Sequence, residues 1–78
     1  GKMKAKIHNT FKNNNSDVSL LSINRDNRTY YLVKNKSQIT EFYYYRDALC
    51  EFYKQVCAET GGLIQIVNYD QYIEIDSE

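Results

Sequence analysis

The chain reads as a small α+β domain, an antiparallel sheet of about five or six strands with one helix packed on one face. Three observations predict this. One stretch of sixteen residues has helical periodicity and ends in two glycines. Several short stretches before and after it alternate apolar and polar residues. The connections between them are short and polar, and short connections favour antiparallel neighbours.

The helix is predicted over Tyr45–Thr60. At about 100° per residue, Tyr45, Ala48, Leu49, Phe52 and Val56 share one side, and Asp47, Glu51, Lys54 and Ala58 the other. Gly61-Gly62 closes it, because glycine after the last turn adopts the left-handed conformation without strain. Glycine loops that cradle phosphate precede helices, and this one follows.

The strands come in order. Lys4 to Phe11 alternates, placing Ala5, Ile7 and Phe11 on one face and Lys4, Lys6, His8 and Thr10 on the other. Residues 12–17 form a polar loop. Val18 to Arg25 is a second strand, with Leu21 and Ile23 opposite Val18 and Leu20. Arg25-Asp26-Asn27-Arg28 suits a tight turn. Thr29 to Lys34 is a third strand. Gln38 to Tyr44 reads as a fourth; the competing reading starts the helix near Ser37 or Thr40, which would bury Glu41. Leu63–Asn68, a turn at Tyr69-Asp70 and Tyr72–Asp76 supply the fifth and sixth strands. The predicted core is Ile7, Leu21, Ile23, Leu32 or Tyr31, Leu49, Phe52, Val56, Ile64, Ile66, Ile73 and Ile75.

Seventy-eight residues allow one domain, expected over 3–78, with Gly1-Lys2 as an added remnant ahead of Met3. A chain this short buries only about 60–65% of its unfolded surface. Eight tyrosines and three phenylalanines argue against intrinsic disorder. No apolar run approaches the roughly 18 residues of a membrane span. No apolar segment of a signal peptide follows the basic N-terminus. Cys50 and Cys57 lie seven apart on the helix, which separates them by roughly 10 Å. A disulfide needs less than about 7 Å between Cα atoms. Reduced cysteines and a cytoplasmic location are therefore expected.

The net charge is zero but asymmetric. Residues 1–36 carry eight basic and two acidic groups; residues 37–78 carry two and eight. Either basic and acidic strands lie side by side and neutralise each other, or the surface is bipolar and its acidic side meets a basic partner.

No catalytic signature is visible. The single histidine, His8, falls on the predicted solvent face, and Cys50 and Cys57 fall at the edge of the polar side of the helix. The carboxylate pairs Asp47 with Glu51 and Glu74 with Asp76 sit on exposed faces with nothing to desolvate them. Two cysteines and a distant histidine do not make a zinc site, and no glycine-centred calcium loop is present. A non-enzymatic protein with no cofactor and no metal is expected.

Two binding readings remain. Tyrosine offers large contact area at low entropic cost, and this chain holds more than its core can use. Tyr43, Tyr44, Tyr69 and Tyr72, with Asp47, Glu51, Asp70, Glu74 and Asp76, form the candidate partner-binding set, suited to a protein with a basic surface. The alternative is a nucleic-acid-binding or regulatory module. It would use Lys2, Lys4, Lys6, Lys12, Arg25, Arg28, Lys34 and Lys36, with Tyr30 or Tyr31 to stack bases. A neutral overall charge weakens it. Open sheet edges also admit a homodimer.

In size and layout the chain resembles the small phage- and mobile-element-encoded inhibitors of bacterial defence, anti-CRISPR proteins among them. The Tyr-Arg-Asp-Ala-Leu-Cys-Glu-Phe-Tyr helix start and the Asn-Tyr-Asp-Gln-Tyr-Ile-Glu-Ile ending carry no family motif, so the likeness is architectural and compositional. Lys, Asn, Ile and Tyr supply 30 of 78 residues, a bias toward AT-rich codons that suits such a source. The resemblance implies a stoichiometric binder of a nuclease or ribonucleoprotein effector, acting in the cytoplasm of a bacterial host.

Overall fold

Two-residue turns join the second, third and fourth strands. Asp26 and Asn27 both take positive φ (55° and 63°), the geometry that matches the twist of a tight hairpin. They pair Arg25 with Arg28 and join β2 (Asp17–Arg25) to β3 (Arg28–Asn35). Lys36, at φ 58°, opens the turn that pairs Asn35 with Gln38 and leads into β4 (Gln38–Phe42). β1 (Lys2–Lys12) reaches β2 through a loop in which the Asn13 N–H donates to the Ser16 carbonyl at 3.0 Å. Helix α1 (Tyr45–Thr60) follows β4, and β5 (Val67–Asp76) ends the fold. The computed structural model describes residues 1–61 and 67–76, with 67–70 described as backbone.

The five strands form one antiparallel sheet in the order β4-β3-β2-β1-β5. The expected α+β architecture is therefore present, with five strands. The fourth strand expected over Gln38–Tyr44 is present but ends at Phe42, with Tyr43 and Tyr44 outside it, and the helix bounds hold. The C-terminal segment differs from expectation. Tyr69-Asp70 is not a turn between two strands, because β5 runs unbroken from Val67 to Asp76. Those two residues lie between the partners of Ile7 and Asn9, where the register with β1 shifts. Their turn-like composition marks an irregularity within a strand. Residues 63–66 lie outside the described residues.

α1 has no side-chain cap at Tyr44 and closes on Gly61, φ 72°, whose N–H donates to the Cys57 carbonyl at 2.8 Å. It lies over β2, β3 and β4. Ala48, Phe52 and Val56, spaced by four, are buried against Val18, Leu20 and Val33. This corrects the predicted core. The strand face under the helix carries Val18, Leu20 and Val33, whereas Leu21, Ile23 and Leu32 point to the opposite side.

That opposite side is also buried. Ala5, Leu21, Ile23, Leu32 and Ile75 form a second apolar cluster, with Met3, Ile7, Tyr30 and Ile73 packed around it. Among the described residues no helix lies over it; the sheet coils instead. Residues from all five strands, among them Met3, Ile23, Leu32, Ile39 and Ile75, line one cleft of about 590 Å³.

β1 serves both clusters. Between Ile7 and Asn9 its register against β2 advances two residues while β2 advances one, from Leu21 to Leu20. The extra residue is His8. It breaks the alternation, so Ala5 and Ile7 join the concave cluster while Phe11 packs under the helix. The prediction that Ala5, Ile7 and Phe11 share a face fails for this reason.

Candidate partner-binding surface

The chain order explains the charge asymmetry. β5 is inserted beside β1, which sets the acidic end of the chain against its basic start. The register pairs Lys2 with Asp76, Lys4 with Glu74 and Lys6 with Tyr72. Lys2 Nζ lies 3.2 Å from Asp76 Oδ1, and the Lys4 ammonium lies 4.6 Å from the Tyr72 ring centroid. Both ion-pair partners are well exposed, so their pairing contributes little to stability. Its effect is on the field: Glu74 and Asp76 each have a lysine opposite on β1. Glu74 and Asp76 therefore do not present an isolated acidic strip.

The remaining expected site residues fall elsewhere. Tyr43 and Tyr44 are 62% and 63% exposed at the corner between β4 and α1. Asp47 is exposed in the first helical turn, 3.8 Å from Arg46 Nε. Glu51 is half-buried and accepts a hydrogen bond from Gln55 Nε2 at 2.8 Å; Gln55 in turn accepts one from Asn35. Gln55 thus fastens the helix to the third strand, and Glu51 holds Gln55 in place. The side chains of Tyr69 and Asp70 lie outside the described residues. Of the expected residues with described side chains, Tyr72, Glu74 and Asp76 lie on β5, Tyr43, Tyr44 and Asp47 at the β4–α1 corner, and Glu51 further along the helix.

The corner holds a stacked set of cations and rings. The Arg25 guanidinium lies 4.3 Å from the Tyr30 centroid, and Arg28 lies 5.8 Å from the same ring and 5.3 Å from that of Tyr43. The two tyrosine rings are 5.7 Å apart. Arg25 Nη2 donates to Glu41 Oε1 at 3.0 Å. Desolvation lowers the Arg25 pKa, but the charge of Glu41 and the hydrogen bonds to Tyr30 and Glu41 outweigh it and raise the pKa above its ordinary value. Arg25 and Glu41 also line the rim of the concave cleft, whose floor is aliphatic.

Comparison with protein-family models, with curated proteins and with solved structures finds no match.

The corner joins residues that the sequence divided between two readings. Tyr43 and Tyr44 belonged to the acidic binding set, and Arg25, Arg28 and Tyr30 to the nucleic-acid alternative. The signal that unites them is the two-residue turn, which places Arg25 opposite Arg28, with Tyr30 two residues further along β3. His8, expected on the solvent face, is half-buried instead. Its Nε2 lies 2.8 Å from Ser22 Oγ, and its ring packs edge-on to Tyr45 at 5.8 Å. That is a packing role under the start of the helix. Among the described residues no three His, Cys, Asp or Glu side chains gather as metal ligands, and no helix is long and apolar enough to cross a membrane.

Proposed function

We propose that the chain is a non-enzymatic binding protein, an inhibitor that acts by occupying a surface of a protein target. One observation carries this reading. Two adjacent tyrosines stand mostly exposed at one corner, and one of them is held in place by an arginine and a second ring. Tyrosine and arginine are the residues enriched where interfaces concentrate their binding energy. A ring already fixed before contact loses little entropy on binding. The resemblance to small inhibitors of bacterial defence supports the same class, and implies a nuclease or ribonucleoprotein target. Imitation of phosphates by the acidic end is the weaker route to such a target, because Glu74 and Asp76 lie beside lysines.

The test is affinity capture from a bacterial lysate, comparing the parent chain with Tyr43→Ser/Tyr44→Ser and Glu74→Lys/Asp76→Lys. Loss of a stoichiometric protein partner in the tyrosine variant alone supports the corner. Loss in the charge-reversed variant alone would return the binding surface to β5. Capture of nucleic acid without protein would favour the alternative module.

A further inference from the structure

We infer that the β4–α1 corner recognises an acidic segment of its protein partner, the reverse of the charge that the acidic C-terminal half suggests; this rests on the protein-binding reading above. The argument starts from which charges are already used. Glu41 is bound by Arg25, Asp76 by Lys2, and Glu59 accepts a hydrogen bond from Ser16 Oγ at 2.7 Å. Glu74 sits opposite Lys4. Arg28 differs. It is exposed, and no carboxylate among the described residues lies within ion-pair distance of it.

Its neighbours are the faces of Tyr30 and Tyr43. A cation–π contact uses the charge of a guanidinium and takes up none of its N–H groups, which remain to donate. Arg25 donates to Glu41, whereas the N–H groups of Arg28 meet no carboxylate among the described residues. Those groups fit a carboxylate in a two-point grip. Beside them stand the phenols of Tyr43 and Tyr44, which suit peptide and apolar contact.

A nucleic acid fits this corner less well. Its phosphates recur at regular short spacing and call for a continuous basic track. Here Glu41, Asp26 and Asp47 interrupt any such track, and the chain has no net positive charge. A discrete carboxylate on a protein loop meets one cation and avoids those groups.

The charge sense can be tested with defined probes. The full ¹⁵N-labelled chain would be titrated with a short peptide of alternating glutamate and leucine, with the same peptide carrying lysine for glutamate, and with a short oligothymidylate. The acidic peptide should shift the Arg28 side-chain N–H and Tyr43 resonances, and the shifts should fade as salt is added. Arg28→Gln should weaken binding by at least about tenfold, and Arg28→Lys by less. Arg28 is exposed, so these variants should keep a dispersed spectrum. The inference is overturned if the lysine peptide produces the same shifts, if oligothymidylate binds more tightly than the acidic peptide, or if no probe perturbs the corner. If capture of the protein target still needs Tyr43 and Tyr44 in any of those cases, the protein-binding reading survives and only the charge sense fails.

Discussion

Leu20 and Leu21 are neighbours in the chain, fully buried, and on opposite faces of β2. Truncating each to alanine in turn measures whether the sheet has one interior or two. Burying a leucine side chain is worth about 1.5–3 kcal/mol in transfer alone. Adding the cavity left behind brings a leucine-to-alanine change to about 2–5 kcal/mol. Leu20→Ala should cost that much because it faces Phe52, Val56 and Val33. Leu21→Ala should cost a comparable amount although no helix covers it, because it packs with Ala5, Ile23, Leu32 and Ile75 in the coiled concave side. The total stability of a chain this long is about 4–12 kcal/mol, so each variant should remain measurable and the double variant should be largely unfolded. Urea unfolding followed by far-ultraviolet circular dichroism gives both values, provided the slopes match the parent. If Leu21→Ala costs less than about 1 kcal/mol while Leu20→Ala costs its full amount, the concave face is open and the two-interior account is wrong.

Two further substitutions test the local supports. Gly61 sits at φ 72° with nothing within 4 Å of a built Cβ, so Gly61→Ala should lose about 1–2 kcal/mol from backbone conformation alone, and Gly61→Asn less. Equal thermal midpoints for parent and alanine variant would show that the helix end does not hold that conformation. Buried Ser16 ties the β1–β2 loop to Glu59 in the last helical turn, so Ser16→Ala should lower stability by about 1.5 kcal/mol. A urea midpoint unchanged from the parent would remove that bridge from the account.

The elements that sequence alone located are those with local causes. The helix has apolar residues at Ala48, Phe52 and Val56 and a glycine behind it, and its bounds agree with the structure. Asp26-Asn27 carries the chemistry of a tight turn in its own residues. What stayed illegible depends on distant partners. β2 and β3 are apolar on both faces, through Leu20 beside Leu21 and Leu32 beside Val33, so alternation cannot say which face goes under the helix. The pairing of Asp76 with Lys2 requires β5 to lie beside β1, a contact that joins the two ends of the chain. At the candidate site, exposure of Tyr43 and Tyr44 followed from their excess over the core. Their association with Arg28 and Tyr30 did not, because it depends on hairpin register.

The additional residue beside His8 has a consequence for how this chain can change. It sets a parity: between Ile7 and Phe11 the count must carry one residue more than the ladder needs. Removing one there would rotate Lys2–Ile7 half a turn relative to β2, driving lysines into the aliphatic cleft and turning Met3, Ala5 and Ile7 toward water. The exposed residues 13–15 of the following loop bear no such arithmetic, so length variation belongs there and not at the bulge.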